Sequence, residues 1–322
     1  MKISIVMATY NGAKYLQEQL DSFLNQTRQP DELVVCDDVS TDATLEILKV
    51  FCALAPFAVH VYCNETNLGY IRNFEKALSL CSGNLVFLSD QDDVWDVRKI
   101  SVVLDCFNKN PGVDVVINDA YYTDEKINRA SVTVLQKVVS VGGGVNGHIA
   151  GACTAMTKRF CDFILPFPKY SCPGHDVYIH RWANLIGSKL VLDIPLQVWR
   201  IHGANASTNN EMSQSQINST LNRYMRTRNL DVTNSYIKKA DEFRVMKQIL
   251  EERGKYLLCL PMARGINIVR SKINQIVDAN TNRSKLMNLG WLQKNKLIFH
   301  MIIKGHYQHF KGVKSIAKDL LL

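Results

Sequence analysis

The segment "ISIVMATYNGAKYLQEQLDSFLNQTRQPDELVVCDD" (Ile3–Asp38) decides the fold. Its first run, Ile3–Tyr10, is short and nearly continuously apolar, as a strand covered on both faces is. Over Ala13–Asn25 the side chains Leu16, Leu20, Phe23 and Leu24 return at helical spacing, and Glu32–Asp38 is a second apolar run. Strand, helix and strand in so short a stretch form the repeating unit of a parallel sheet. The unit recurs. "VHVYCN" (Val59–Asn64), "NLVFLSD" (Asn84–Asp90) and "VDVVIND" (Val113–Asp119) read as further strands covered on both faces, with helical patterns over Asp42–Leu54, Gly69–Leu80 and Val97–Asn108. The expected fold class is α/β, a mostly parallel sheet flanked by helices.

After Asp119 the alternation loosens. "VGGGVNGHIAGACTAM" (Val141–Met156) is glycine-rich and then apolar, the composition of a closely packed or substrate-facing wall. Pro166–Asp176 reads as a loop, about Val177–Ile186 as a helix, and Lys189–Gly203 as one or two late strands. Residues 204–220 are polar and rich in Asn and Ser, a hinge composition, and from about Thr220 the chain reads helical. The expected domains are 1–207, divided at 119/120, and a helical, basic region 208–322.

With 47% hydrophobic and 21% charged residues over 322 positions, the chain has the composition of a globular protein, not a disordered one. Nine cysteines, an odd count without a C-x-x-C pair, point to reduced thiols and a cytoplasmic setting, and against a zinc site built from them. The N-terminus reads as a first strand, not a signal peptide. No run approaches the roughly 18 consecutive apolar residues of a spanning helix. The net charge of +8 conceals an asymmetry: residues 1–220 carry 18 Lys and Arg against 23 Asp and Glu, and residues 221–322 carry 20 against 7. A mildly acidic body with a strongly basic tail fits a catalytic or binding unit joined to a segment for an anionic partner.

Ligands of open parallel sheets bind beyond the carboxyl ends of the strands. "TYNG" (Thr9–Gly12), "CDDVSTD" (Cys36–Asp42), "SDQDD" (Ser89–Asp93) and "NDAYYTD" (Asn118–Asp124) fall at that edge. Neither G-x-G-x-x-G nor a P-loop follows the first strand, so a nucleotide here needs carboxylates and a cation in place of a glycine cradle. Asp90 and Asp92, two apart on an extended segment, point the same way and can share a divalent cation whose shell is completed by phosphate oxygens and water. The competing reading is a capped turn in which Asp92 or Asp93 starts a helix running on from Trp95.

The blocks "ISIVMATYNGAKYLQEQLDSFLNQT", "ELVVCDDVSTDAT", "NLGYIRNFEKAL", "GNLVFLSDQDDVW", "GHDVYIHRWA" and "VWRIHGANAS" resemble, in order, those of family 2 inverting glycosyltransferases with the GT-A-like, Rossmann-type fold. The resemblance spans roughly residues 1–207, and "SDQDDVW" is similar to bacterial members that build O-antigen and capsule repeats, rhamnosyltransferases among them. It implies nucleotide contacts at Thr9, Tyr10 and Asn11 and a base contact at Asp38, where Ser40 and Asp42 compete for capping. It also implies a D-x-D-D element, Asp90, Asp92 and Asp93, for ribose, diphosphate and a divalent cation (Mn²⁺ or Mg²⁺). Asp92, Asp93 and His202 are the implied metal residues, and Asp176 the implied general base, with a plain helix cap as its alternative. Arg200 is a weaker phosphate candidate, His175 can shape the acceptor site, and Trp95 is explained equally by packing.

The implied function is inverting transfer of a sugar from a nucleotide-sugar donor (dTDP-rhamnose or a UDP-hexose) to a lipid-linked glycan acceptor of bacterial surface polysaccharide. A non-catalytic nucleotide-sugar-binding or scaffold protein, or a sugar nucleotidyltransferase, are the alternatives. The last lacks its glycine-rich basic loop in "ATYNGAKY". In the tail, Met287–Leu322 interleaves Trp291, Leu292, Phe299 and Ile303 with Lys294, Lys296, Lys304, Lys311, Lys314 and Lys318. Such helices suit an anionic membrane surface at the inner face of the cytoplasmic membrane. The alternative is that the apolar residues dock on the catalytic domain. No nucleic-acid module is present, so that partner is not expected.

Overall fold

The computed structural model describes residues 1–124, 127–142, 144–170, 172–202, 230–257 and 265–321. In chain order the elements are β1 (Ile3–Thr9), α1 (Ala13–Leu24), β2 (Glu32–Asp37), α2 (Thr44–Leu54), β3 (Ala58–Cys63), α3 (Tyr70–Leu80), β4 (Leu85–Ser89), β5 (Val94–Trp95) and α4 (Lys99–Lys109). They continue with β6 (Val115–Thr123), β7 (Arg129–Thr133), α5 (Val134–Ser140), β8 (Thr154–Thr157), α6 (Lys158–Ile164), α7 (His175–Ile186) and β9 (Lys189–Arg200). Four helices follow: α8 (Leu230–Leu257), α9 (Ile266–Lys285), α10 (Trp291–Ile303) and α11 (Val313–Leu321).

The strands form one sheet in the order β3-β2-β1-β4-β8-β6-β9-β5, with β7 beside β6. The α/β architecture with a mostly parallel sheet is as expected: β3, β2, β1 and β4 run parallel, as do β6 and β9. In β1 both faces are covered, with Ile3, Ile5 and Met7 on one side and Ser4 and Val6 on the other all fully buried. That is why its apolar run is continuous and not alternating. One face meets Leu16, Leu20 and Phe23 of α1 and Ile100, Val103 and Phe107 of α4 in the main core.

Three readings are corrected and one strand is added. β3 pairs only with β2 and is largely exposed, so "VHVYCN" is an edge strand and not one covered on both faces. The glycine-rich stretch ends in β8, which lies between β4 and β6 and runs antiparallel to both. The acids after β4 do not cap a helix starting at Trp95: Val94–Trp95 pairs with β9 as β5, and α4 begins only at Lys99. "NDAYYTD" is not a strand end either, because β6 continues through to Thr123.

The described residues group into two compact units. Residues 1–167 with 174–202 hold the sheet, and residues 168–173, 230–257 and 265–321 hold the helices α8–α11. The expected boundary at 207/208 lies outside the described residues. In the helical unit α8 packs along α9, and Leu286, Ile298, Met301 and Tyr307 form a separate small core. The Arg283 guanidinium is paired with Asp319 at 2.9 Å, and Tyr307 donates to the same carboxylate at 3.0 Å. Among the described residues no helix is long and apolar enough to cross a membrane.

Candidate active site

The carboxyl ends of β1, β2 and β4 open onto a cleft of about 440 Å³. Thr9, Tyr10, Asp38, Asp90 and Asp92 line it from the strand edge, Ala150–Cys153 from the glycine-rich segment, and His175 and Asp176 from α7. The size suits a small organic ligand. Four carboxylates face the cleft, and among the described residues no lysine or arginine lines it.

The turn after β1 is built by two side chains. Asn11 adopts a left-handed conformation (φ 47°), and its side-chain oxygen accepts the Thr41 backbone N–H at 2.8 Å. The Tyr10 N–H donates to the Gln91 side-chain oxygen at 2.9 Å, and the Gln91 amide donates back to the Tyr10 carbonyl at 3.0 Å. This reciprocal pair locks the first turn to the acidic loop. It requires Gly12, because a Cβ there would lie 2.2 Å from Gln91 Oε1. Asn11 is thus a turn-forming residue set outside the cleft lining, whereas Thr9 and Tyr10 border it.

Asp38 is buried, and both its oxygens are engaged. Oδ1 accepts from Asn64 Nδ2 (2.8 Å) and the Leu68 N–H (2.7 Å), and Oδ2 from the Gly69 N–H (2.8 Å). Asn73, from α3, joins Asn64 to the Cys36 carbonyl. Asp38 therefore borders the cleft while fixing the entry to α3. Sequence reading missed Asn64, Asn73 and Gln91, since an amide that only ties two loops together carries no motif. The competitors at Asp38 have their own tasks: Ser40 donates to Asp37 and the Thr44 hydroxyl to Asp42.

The acids of "SDQDD" diverge. Asp90 stands at the cleft, its carboxyl pushed up to about 7 by burial and then by the negative charges of Asp92 and Asp176. Asp92 Oδ2 meets His202 Nε2 at 2.8 Å, and the His202 ring lies 4.6 Å from that of Tyr15. Asp93 is turned inward, accepting from Gln197 Nε2 (2.9 Å) and the Arg200 N–H (3.2 Å). The structure thus joins two of the three expected metal residues, Asp92 and His202. The third, Asp93, is turned away from them, and among the described residues no group of three potential ligands surrounds one point. Arg200 is not part of the cleft lining. It is buried, bonding the Asp92 carbonyl (2.9 Å) and Glu18 (2.8 Å) over the Tyr15 ring, and it fastens the acidic loop instead of facing the cleft.

Beneath the cleft Lys99 is fully buried, with Nζ donating to the Ala152 carbonyl and to Gln197 Oε1, 3.8 Å from the Trp95 ring centroid. Burial lowers its ammonium to about 8 in spite of Cys153, Asp93 and Asp90. Trp95 itself is core, edge-on to Phe23.

Helix α7 starts two residues before its expected position, so Asp176 sits in its first turn and accepts the Val177 N–H at 2.7 Å. The cap position is Gly174 (φ 147°), where a Cβ would lie 2.8 Å from Asp176 Oδ1. Asp176 is therefore not a plain cap. His175 stacks on Phe74 at 4.2 Å, and burial lowers its proton affinity.

An acidic cleft without cations of its own repels a diphosphate unless a cation comes with it. Asp92 and His202 supply a hard oxygen and an imidazole nitrogen for one. Such a donor pair fits a divalent ion that takes its remaining ligands from phosphate and water.

Comparison with known proteins gives this geometry a context. The family model described as "Glycosyl transferase family 2" matches residues 4–162, which takes in the Thr9–Gly12 turn, Asp38 and Asp90–Asp93 and stops short of Asp176 and His202. An uncharacterized protein of Mycobacterium tuberculosis is 36% identical over 115 residues, 35% of this chain and 33% of that protein. The dTDP-rhamnosyl transferase RfbG of Shigella flexneri is 29% identical over 187 residues, 55% of this chain and 62% of that protein. The chain thus spans about a third of the length of the first and less than two thirds of the second. Among solved structures, residues 1–349 of S. aureus TarS in complex with UDP-GlcNAc match in fold with a TM-score of 0.57 and 18% identity, covering 99% of this chain and 82% of that one.

Proposed function

We propose that this chain, whose residues 4–162 belong to glycosyl transferase family 2, transfers a sugar from a nucleotide-sugar donor to a glycan hydroxyl with inversion at the anomeric carbon. The observation that carries the reading is the convergence of Asp90, Asp92 and Asp176 on one cleft, close enough that Asp92 and Asp176 both raise the proton affinity of Asp90. The loop after β4 and the first turn of α7 supply them.

Donor nucleoside and diphosphate lie along the carboxyl ends of β1, β2 and β4, against Thr9, Tyr10 and Asp38. Asp92 and His202 would hold a divalent cation, Mn²⁺ or Mg²⁺, and the chemistry it would supply there is charge neutralisation of the diphosphate leaving group. Asp93, Arg200 and Gln197 keep the Asp92 backbone in place. Asp176 accepts the proton of the acceptor hydroxyl as its oxygen bonds to the anomeric carbon and the bond to the diphosphate breaks. One displacement assisted by one base inverts the configuration. Ala150–Cys153 close the cleft against water near the sugar.

The donor in this proposal is dTDP-rhamnose or a UDP-hexose, the first supported by the likeness to a dTDP-rhamnosyl transferase, and the acceptor is a lipid-linked glycan of bacterial surface polysaccharide. Calorimetry with dTDP, UDP and GDP, each with and without Mn²⁺, tests the donor half. Binding of one nucleotide that needs the metal and is lost in Asp92→Asn is expected. Metal-independent binding, or none, overturns the assignment of Asp92. A nucleotidyltransferase would need a basic group to hold a triphosphate, and among the described residues none lines this cleft. A non-catalytic binder retains nucleotide binding and lacks turnover.

A further inference from the structure

Helix α10 has two apolar faces, and the small core uses only one. Ile298 and Met301 are buried, with Leu297 half-buried, against Leu286, Tyr307, Phe310 and Ile316. On the other face Trp291 (76% exposed), Leu292 (68%), Phe299 (64%), Ile302 (42%) and Ile303 (67%) stand in solvent. At about 100° per residue these five fall within an arc of about 120°, with Asn295 the one polar position inside it. Helix α11 adds Val313, Leu320 and Leu321, all exposed.

The charge around this face is of one sign. Residues 285–321 contain seven lysines and a single acid, and that acid, Asp319, is buried against Arg283. Lys296 borders the apolar arc, and Lys304, Lys311 and Lys314 are exposed beyond it. A second copy of the chain placed on this face would set these lysines against one another. An anionic lipid surface accepts both features, taking aromatic and aliphatic side chains at headgroup depth and lysines at the phosphates.

We propose that the Trp291–Leu292–Phe299–Ile302–Ile303 face of α10 docks on an anionic bilayer, with Lys296, Lys304, Lys311 and Lys314 set at its phosphate plane. The apolar residues of the tail then divide between a core internal to the helical unit and an external surface. The inference does not depend on the glycosyl-transfer reading, since it rests on the helical unit alone.

The test is flotation of the full chain with phosphatidylcholine vesicles, and with phosphatidylcholine/phosphatidylglycerol vesicles, with and without high salt. Selective flotation with the anionic vesicles, weakened by salt and accompanied by a blue shift of the exposed Trp291 emission, is expected. Each lysine at the surface contributes about fivefold to the partition constant. The variant Trp291→Ala/Phe299→Ala/Ile303→Ala changes only exposed positions, so its circular dichroism stays that of the wild type, and its partition falls by at least about tenfold. Equal binding to both vesicle types, no flotation, or unchanged flotation of the variant overturns the proposal. So does a wild-type dimer that the variant converts to monomer, which would make the face a self-association surface.

Discussion

At the scale of single residues, neighbours in the acidic loop have opposite assignments. Asp92 faces the cleft and His202, and Asp93 faces the interior. Asp93→Asn keeps an oxygen for the Arg200 N–H and loses one hydrogen bond toward Gln197, so it is expected to cost on the order of 1 kcal/mol in thermal unfolding. The metal dependence of nucleotide binding should survive it. Asp92→Asn is expected to do the reverse, with an almost unchanged melting temperature and nucleotide affinity reduced on the order of a hundredfold, since it removes a charged ligand. If both variants lose binding equally, the division of labour is wrong. The sequence made the cluster legible, because carboxylates at a strand's end are expensive without a purpose. It did not show which way each one turns. That depends on Gln197 and Arg200, more than a hundred positions away, and no local pattern encodes such partners.

At the scale of elements, α1–α4 and β1–β4 were legible almost to their ends. The continuous apolar runs of β1, β2 and β4 are a direct consequence of a sheet covered on both faces, whereas β3 was legible as a strand but not as an exposed edge. β8 and β5 were not, being four and two residues long and held by pairing with distant strands. The turn between β1 and α1 depends on Gly12. Gly12→Ala is expected to leave the fold intact while displacing Gln91 and lowering kcat/KM on the order of tenfold, through a loss of about 1 kcal/mol in loop positioning. Wild-type kinetics in this variant would deny that the Tyr10–Gln91 pair matters. Glu32 provides an acid-stability test. It is buried, and although burial raises its proton affinity, hydrogen bonds from the Ser4 and Ser82 hydroxyls, the Ser82 N–H and Lys2 hold its pKa down to about 2. A carboxyl depressed in the folded state stabilises above its unfolded value of 4.5, and that contribution is lost as pH falls through about 2. Glu32→Gln should therefore lower stability at neutral pH by on the order of 2 kcal/mol once solvent screening is allowed for, and lower it less and less below pH 4.5. A difference that persists undiminished to pH 2 would contradict it.

At the scale of the molecule, the charge split in the sequence maps onto two units of different composition, an acidic-clefted sheet and a lysine-rich set of helices. Helical content and basic character of the second unit were legible. The division of its apolar residues between core and surface was not, because α10 is apolar over more than one face and periodicity alone does not say which face is covered. The buried Arg283–Asp319 pair holds α9 to α11. Asp319→Ala leaves a guanidinium without its carboxylate and is expected to cost about 3–5 kcal/mol. Hydrogen exchange should show the loss in amides of 266–321, and unchanged protection there would mean the pair is dispensable.

The central claim is that Asp176 does the chemistry in a cleft where Asp92 and its cation hold the donor. The most direct measurement is turnover of a panel of dTDP-, UDP- and GDP-sugars with Mn²⁺ or Mg²⁺, comparing wild type, Asp92→Asn and Asp176→Asn beside nucleotide binding by the same proteins. The account predicts that one donor is consumed, that EDTA and both substitutions abolish turnover, and that Asp176→Asn still binds nucleotide while Asp92→Asn does not. Turnover by Asp176→Asn at the wild-type rate would contradict it.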